Sequence, residues 1–257
     1  MNTNIATMNN QKYDLTIKPL PTSKDGIYQR PLMESGVIPQ VNTVSMIVGK
    51  SGSGKTALLC NLLQRPEFYG PDPRTGKPYF DETVIFSTTG GTPLDTTYDC
   101  VSWLTEDNFE HDFNPEYITG IIESQEKHIK QHGFGKRKTL IVFDDILSQP
   151  KFIKSKEFLK CFVELRHFCC SVIVSTQSYT RIPRACRLQT TCLFFFPSSM
   201  SEQEVLADNT TPPNMSKKRF IELIQYATDK PYNFLYVNNK LPIKERFRKN
   251  LDKIISY

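Results

Sequence analysis

Five short runs of apolar residues lie along the chain, each bounded by polar or glycine-containing sequence. Runs that are apolar at nearly every position are typical of strands buried on both faces, as in a parallel sheet. Because these runs alternate with segments of helical spacing, the pattern predicts an α/β fold with a mostly parallel central sheet flanked by helices. The predicted strands are Val44–Val48, Thr83–Ser87, Thr139–Phe143, Ser171–Ser175 and Thr191–Phe196.

The segments between these strands carry apolar residues at helical intervals. In one of them Ile118, Ile121, Ile122 and Ile129 recur at a spacing close to that of a helix. Residues 65–82 instead contain four prolines and no such period, which predicts an irregular insertion. The predicted helices are Thr56–Gln64, Tyr117–Lys130, Lys151–Arg166 and Ser216–Ala227.

The same pattern divides the chain into three parts. Residues 1–40 are rich in Asn, Thr and Pro and show no sustained period, which predicts an N-terminal arm. Residues 41–200 form the predicted core. Residues 201–257 are predicted to be a basic extension of the same domain, with a strand at Asn233–Val237 and a tail helix. That helix would turn Ile243, Phe247, Leu251 and Ile254 towards the core.

The composition is that of a folded globular protein, with 39% hydrophobic and 23% charged residues among 257. It argues against a disordered chain, a collagen-like repeat or a disulfide miniprotein. No apolar stretch approaches the roughly 18 residues of a membrane helix, and residues 1–10 lack the features of a signal peptide. Seven cysteines without a C-x-x-C spacing indicate free thiols in a reducing compartment.

Positive charge is concentrated in two segments of the chain. Residues 127–138 hold five Lys or Arg, two His and no acidic residue. Residues 214–257 hold ten Lys or Arg against four Asp or Glu, a net of +6, so the rest of the chain nets −1 within the total of +5. This asymmetry is compatible with contacts to a phosphate backbone. The alternative, which is favoured for any single Lys, is a solvated, amphipathic terminal helix.

The sequence Gly49-Lys-Ser-Gly-Ser-Gly-Lys-Thr56 matches the phosphate-loop pattern G-x-x-x-x-G-K-[ST] between a predicted strand and a predicted helix. Glycines allow the backbone to wrap around phosphates, and the N–H groups of the loop and helix start then face negative charge. We expect Lys55 to reach the β- and γ-phosphates of ATP and Thr56 to hold Mg²⁺. The expected nucleotide-binding residues are Gly49, Lys50, Ser51, Gly52, Ser53, Gly54, Lys55, Thr56 and Ala57.

Two carboxylates follow the third predicted strand. The strand would deliver Asp144 and Asp145 to the carboxyl edge of the sheet, where ligands bind in open α/β folds. We expect Asp144 to hold Mg²⁺ and Asp145 to polarise the attacking water. Asp145 is one methylene shorter than the Glu that often follows the metal Asp, so Glu82 and Glu157 stay weaker candidates for the base. The alternative is a solvated Asp pair that caps a turn.

The fourth predicted strand ends at Gln177, whose amide can donate to a phosphate and accept from water. It is therefore a candidate sensor of hydrolysis, and alternatively a polar strand end that bonds a loop. Arg166, before this strand, is a candidate arginine finger for a neighbouring subunit, and alternatively a solvated residue at a helix end. Further candidates for a finger or a DNA contact are Arg181, Arg184 and Arg187.

With these motifs in place, the chain resembles the genome-packaging ATPases of large double-stranded DNA viruses and virophages. These belong to the FtsK–HerA superfamily and include the poxvirus-type packaging ATPase. The resemblance covers roughly Val41 to Pro197, and the order Arg-His, Thr-Gln, Pro-x-x-x-Arg is more specific than the phosphate loop. It rests on Gly49–Thr56, Leu140–Asp145, Arg166-His167, Thr176-Gln177, and Pro183 with Arg187.

The resemblance implies a RecA/FtsK-like P-loop ATPase that uses ATP and Mg²⁺ to move double-stranded DNA into a preformed capsid. It implies a homo-oligomeric ring, a hexamer or a pentamer, with a capsid or portal-type viral protein as a further partner. The family pattern assigns Gln177 as the sensor and Arg166 as the leading finger candidate. It also implies a location in the host cytoplasm, at the virus factory, and in the virion.

Two other classes of function remain open from the residues alone. A phosphate loop with clustered arginines also fits a kinase of a nucleotide or small molecule, which would turn over faster with its acceptor. A nucleotide-gated scaffold that does not hydrolyse ATP is the third reading, and the intact Lys55, Thr56, Asp144 and Asp145 argue against it.

Overall fold

A nine-stranded sheet forms the centre of the computed structural model, which describes residues 27–92 and 95–256. The spatial order of the strands is β3-β2-β4-β5-β1-β6-β7-β8-β9. Neighbours from β3 to β6 are parallel, whereas β6, β7, β8 and β9 pair antiparallel. The strands are β1 Val44–Val48, β2 Glu82–Phe86, β3 Phe109–Glu110, β4 Thr139–Phe143, β5 Cys170–Thr176, β6 Cys192–Phe195, β7 Leu235–Asn238, β8 Phe247–Lys249 and β9 Lys253–Ile254.

Helices cover both faces of the sheet. They are α1 Pro31–Glu34, α2 Lys55–Gln64, α3 Pro115–His132, α4 Pro150–Ile153, α5 Lys156–Val163, α6 Arg184–Gln189, α7 Met200–Thr210 and α8 Lys217–Ala227. Short 3-10 turns lie at Thr96–Tyr98, Glu106–Asn108, Ile146–Ser148, Leu165–Phe168 and Ile243–Glu245. No helix among the described residues is long and apolar enough to cross a bilayer.

The central strands are buried on both sides and contribute alternate residues to two cores. Along β4, Ile141 and Phe143 belong to the core that includes α3, α5, α7 and α8. Leu140 and Val142 belong to the opposite core, which includes α1 and α2. This alternation explains why the strand reads as a continuous apolar run, since neither face is open to water.

The predicted fold class is confirmed, and the predicted strands are found within two residues of their expected ends. The strand Thr139–Phe143 matches at both ends, and the predicted helix Thr56–Gln64 begins one residue earlier, at Lys55. The predicted insertion at 65–82 contains neither helix nor strand up to Asp81, and its last residue, Glu82, already belongs to β2. Hydrophobic periodicity therefore located five of the six strands in the parallel part of the sheet, and β3, which is only two residues long, was not predicted.

The single helix predicted over Lys151–Arg166 is wrong. The chain forms α4, then α5, then a 3-10 turn at Leu165–Phe168. Ser155 separates the two helices because its hydroxyl accepts from the Phe158 N–H at 3.1 Å, which makes Ser155 the N-cap of α5.

The predicted basic tail helix is also wrong, because this segment extends the sheet through β8 and β9. Val237 pairs with Phe247 and Leu235 with Lys249, so backbone pairing replaces a helix here. Asn250 turns the chain between the two strands at a φ of 55°. Phe247 is fully buried as predicted, whereas Ile254 is 42% exposed and does not face the core.

Residues 27–40 pack against the body of the molecule. Met33 and Ile38 are fully buried, and the Arg30 guanidinium donates to the carbonyls of Pro66 and Phe68, both at 2.7 Å. The remainder of the predicted arm, residues 1–26, lies outside the described residues. The segment next to the first strand therefore forms part of the core that contains α2.

Candidate active site

The phosphate loop lies between β1 and α2, and its glycines are required by its geometry. The Gly49 N–H bonds the Thr176 carbonyl at 3.1 Å, which continues the pairing of β1 with β5. A Cβ on Gly49 would come within 2.6 Å of Phe196 Cβ. Gly54 caps α2 at a φ of 104°, a conformation that other residues resist. The loop thus brings backbone N–H groups to the start of α2.

A cavity of about 330 Å³ opens at this loop, at the carboxyl edge of the sheet. Most of the predicted site residues meet in it. Its lining is Ser51, Gly52, Gly54, Lys55, Thr56, Ala57, Asp144, Asp145, Gln177 and Tyr232. Three residues of the predicted nucleotide-binding loop do not line it, namely Gly49, Lys50 and Ser53.

Lys55 is buried at the start of α2, and its ammonium donates to the Lys50 carbonyl at 3.1 Å. Burial lowers the pKa of Lys55, while the charges of Asp145 and Asp144 act in the opposite direction. Its charge therefore sits partly removed from water and close to two carboxylates. Such a position strengthens its attraction for a phosphate anion.

Asp144 and Asp145 follow β4 and point to different partners. The Tyr98 hydroxyl donates to Asp144 Oδ2 at 2.7 Å. Asp145 adopts a left-handed conformation, with φ 48° and ψ 45°, and begins the turn at Ile146–Ser148. Its Oδ1 accepts from the Gln177 amide at 2.9 Å. Because the backbone of Asp145 is left-handed, the carboxylates of the two successive residues point in different directions. Each can therefore serve a different function.

Gln177 lies at the end of β5, and β5 is the direct neighbour of β4 in the sheet. This adjacency is the condition on which its predicted role as a sensor depends. Its side chain is exposed to the cavity and held by Asp145. The amide and the carboxylate therefore form one unit beside the phosphate loop.

Arg166 does not join the site of its own chain. It lies in the 3-10 turn before β5, at the amino edge of the sheet, because Cys170 pairs with Thr139 at the start of β4. The seven residues of β5 span about 20 Å, so the guanidinium is separated from the cavity by the depth of the sheet. Arg166 is exposed, and its Nε lies 3.4 Å from His167 Nε2.

The two weaker candidates for the base do not line the cavity either. Glu82 pairs with Thr139 at the amino edge of the sheet, where it accepts from the Thr139 hydroxyl at 3.0 Å. Glu157 lies in the first turn of α5 and does not line the cavity. Asp145 is consequently the better placed of the three carboxylates.

Glu202, near the start of α7, holds the segment that follows Gln177. Its carboxylate accepts four hydrogen bonds, from the Ser178 hydroxyl, the Tyr179 N–H, the Thr180 N–H and the Thr180 hydroxyl, at 2.7 to 3.1 Å. Neither Glu202 nor the helix α7 was predicted from the sequence. The spacing Ser199-x-x-Glu202 is that of a capping box and would have predicted the helix start.

Two tyrosines at the site were also missed by the sequence analysis. Tyr98 is buried, and burial together with the charge of Asp144 raises the pKa of its hydroxyl, which stays protonated as a donor. Tyr232 precedes β7 and lines the cavity with 69% of its surface exposed. Neither belongs to a motif with fixed spacing, so only the folded chain brings them to the site.

The residues at the cavity suit a magnesium ion. Thr56 and Asp144 both line it and offer a hydroxyl and a carboxylate. Mg²⁺ prefers such oxygen ligands and is usually held by one or two protein groups together with substrate phosphates and water. The described residues contain no cluster of three or more His, Cys, Asp or Glu that would form a cage made by protein alone.

The family model of the poxvirus A32 protein matches residues 106–253, which is more than half of the chain. The chain belongs to the poxvirus A32 protein family. The matched range contains both carboxylates after β4, Gln177 and Arg166, and it begins after the phosphate loop. This membership confirms the predicted resemblance to the poxvirus-type ATPase. No curated protein matches the sequence.

Solved structures share the fold of this A32 family member. The genome packaging NTPase B204 from Sulfolobus turreted icosahedral virus 2, in complex with AMP, has a TM-score of 0.53 at 13% identity and covers 80% of this chain and 96% of its own. EssC (ATPases 2 and 3) from Geobacillus thermodenitrificans has a TM-score of 0.51 at 12% identity and covers 77% of this chain and 38% of its own.

Proposed function

We propose that this A32 family member, a DNA-packaging ATPase, binds MgATP at its phosphate loop and works on double-stranded DNA as a ring of identical subunits. One observation carries the proposal. Lys55, Asp144, Asp145 and Gln177 come from three separate strand ends and line a single cavity. Family membership supports the DNA-packaging role, and the relative B204 is itself named as a genome packaging NTPase.

Each group at the cavity has a distinct part in ATP hydrolysis. The loop N–H groups and Lys55 bind the phosphates and offset the charge that develops on the transferring group. Asp145 accepts a proton from the attacking water or orients it. Thr56 and Asp144 would hold Mg²⁺, and the bound ion would supply positive charge against the phosphate oxygens.

Gln177 links the nucleotide to the rest of the chain. Its amide bonds Asp145, and the residues after it are bound by Glu202 of α7. Loss of the terminal phosphate removes a partner from this amide, and the change passes to the segment at 178–180. The C-terminal part of the chain thereby senses hydrolysis.

Arg166 serves the nucleotide of a neighbouring subunit. Its position at the amino edge, about 20 Å from its own cavity, supports action in trans. A ring in which each Arg166 approaches the next cavity would stabilise the transferring phosphoryl group there. We further propose a capsid or portal-type viral partner, and action in the reducing cytoplasm of the host cell and in the virion.

The test is steady-state ATP hydrolysis with and without long double-stranded DNA, at two salt concentrations, with Lys55→Ala as control. We expect DNA to stimulate turnover, and higher salt to weaken the stimulation because phosphate contacts release counterions. Turnover that ignores DNA, or stimulation that survives in Lys55→Ala, would contradict the proposal. A small-molecule acceptor that accelerates ATP consumption would indicate a kinase instead.

A further inference from the structure

A second cavity adjoins the phosphate loop and shares three of its residues. It has a volume of about 530 Å³, which is within the usual range for small-molecule sites. Gly54, Ala57 and Tyr232 line both this cavity and the one that contains Lys55. A molecule bound at the phosphate loop can therefore extend into the second cavity over the first turn of α2.

The second cavity is mainly apolar, in contrast to the first. Phe196 and Phe234 are buried at its wall, with ring centroids 5.1 Å apart, and Leu58 adds an aliphatic surface. Its polar groups are few and include Asn61 and Asp252. This combination suits a flat aromatic molecule that carries a few hydrogen-bonding groups at its edge.

Tyr232 stands at the junction of the two cavities in an unfavourable conformation. Its φ is +66°, a left-handed backbone that bulky residues rarely adopt and that costs free energy. Its side chain is 69% exposed, so burial of the ring contributes little to the folded protein in return. The ring lies against the loop, since a Cβ on Gly54 would come within 3.0 Å of Tyr232 Cδ1. A costly and exposed aromatic ring at a binding site indicates a ligand contact.

We propose that the second cavity binds the adenine of ATP and that the ring of Tyr232 stacks on it. The inference rests on the proposed function, because it requires that the phosphates lie in the loop. On the other side of the loop the carboxylates of Asp144 and Asp145 line the first cavity. The shared wall at Gly54 and Ala57 then leads the base into the apolar cavity, where Tyr232 is the aromatic residue at the entrance.

The experiment compares two probes, ATP and inorganic tripolyphosphate, each with excess Mg²⁺, by equilibrium binding to the full chain. The variant Tyr232→Asn removes the ring and tolerates the left-handed backbone better than Tyr does. We expect it to raise the Kd for ATP by about tenfold, the loss typical of one base–aromatic stack, and to leave the Kd for tripolyphosphate within twofold. Tyr232→Phe keeps the ring and should bind ATP as the wild type does.

Tyr28→Asn is the matched control, because Tyr28 is 71% exposed and lies outside both cavities. Thermal unfolding of Tyr232→Asn should show no loss of stability, which separates binding from folding. Unchanged ATP affinity in Tyr232→Asn would overturn the inference, as would wild-type chain that binds tripolyphosphate as tightly as ATP. A change in subunit association without a change in ATP affinity would assign the cavity to a second copy of the chain, and would also overturn it. Wild-type chain that binds neither probe would overturn the proposed function as well.

Discussion

The parallel part of the sheet, from β3 to β6, and the C-terminal part of the chain, residues 198–256, contribute to the site in different ways. The parallel strands supply the groups to which we assign phosphate chemistry, Lys55, Asp144 and Gln177, each in the residues that follow a strand. The C-terminal part supplies Glu202 and Tyr232, which contact the loops that carry this chemistry. The parallel strands thus determine which reaction is possible, and the C-terminal part determines how its components are held.

This difference follows from topology. Parallel strands end at the same edge, so polar residues that follow neighbouring strands such as β4, β5 and β1 lie close together. Antiparallel strands end at alternate edges, and the positions of the helices around them follow no comparable rule. Their contacts with the site therefore depend on the whole fold. The experiments below ask whether the two parts can be separated, in order of decreasing effect.

Arg166→Ala should have the largest effect, because an arginine that stabilises the transferring phosphoryl group is worth about 10³-fold or more in turnover. ATP binding should stay unchanged, since Arg166 lies at the opposite edge from its own cavity. Steady-state hydrolysis and equilibrium ATP binding measure the two effects.

A mixture of Arg166→Ala with Lys55→Ala is the control for the first variant. Arg166→Ala has an intact cavity and Lys55→Ala has an intact arginine, so an equimolar mixture should recover activity that neither variant has alone. Normal turnover in Arg166→Ala, or a mixture that stays inactive, would remove Arg166 from the mechanism.

Lys55→Ala should reduce turnover by about 10²–10³-fold, the usual cost of losing one positioned group that stabilises developing charge. ATP affinity should fall as well. The melting temperature should not fall, because the variant removes a charge from a buried position. Loss of folding instead of function would contradict the assignment of Lys55 to phosphate binding.

Tyr98→Phe should weaken the response to Mg²⁺ by about tenfold, the usual cost of removing a group that orients a metal ligand. The hydroxyl donates to Asp144 at 2.7 Å, and without it the carboxylate loses its fixed orientation. The measurement is the Mg²⁺ concentration for half-maximal hydrolysis, with Tyr28→Phe as the exposed control. An unchanged Mg²⁺ response would show that Tyr98 serves packing alone.

Glu202→Gln should have the smallest effect on turnover, a loss of severalfold, with an ATP KM close to that of the wild type. An amide keeps the shape of the side chain but loses the charge-assisted bonds to the N–H groups of Tyr179 and Thr180. A hydrogen bond to a charged group is worth about 1.5–3 kcal/mol. Glu204→Gln, on the exposed side of the same helix, is the matched control. Equal turnover in the two variants would mean that the C-terminal part stabilises the fold but does not position Gln177.

The sequence predicted those parts of the site that directly follow a strand. Lys55, Asp144, Asp145 and Gln177 could be placed together because the apolar runs before them indicated neighbouring parallel strands. Tyr98 could not, because it lies 46 residues from Asp144 in a segment without periodicity or a spaced motif. The spacing Ser199-x-x-Glu202 indicates the start of a helix, but nothing in the sequence links Glu202 to Ser178, 24 residues away. Contacts of this kind are created by packing and leave no local signal.

The tail illustrates the same limit for the fold. Its apolar residues Ile243, Phe247, Leu251 and Ile254 have helical spacing, yet the segment forms β8 and β9. An open edge at β7 offers unpaired backbone groups to the segment, and this tertiary pairing outweighs the local pattern. A pattern of four residues predicts burial of some of them, but not which partner will bury them.

Within the described residues, the sheet ends on both sides in a strand of two residues, Phe109–Glu110 and Lys253–Ile254. Such short edges offer a neighbouring chain little backbone for strand addition. We therefore expect copies of the chain to associate through the side chains of helices and loops, and not through the edge strands β3 and β9. In the proposed ring, contacts of that kind can loosen and re-form during hydrolysis more readily than a continuous sheet shared between subunits.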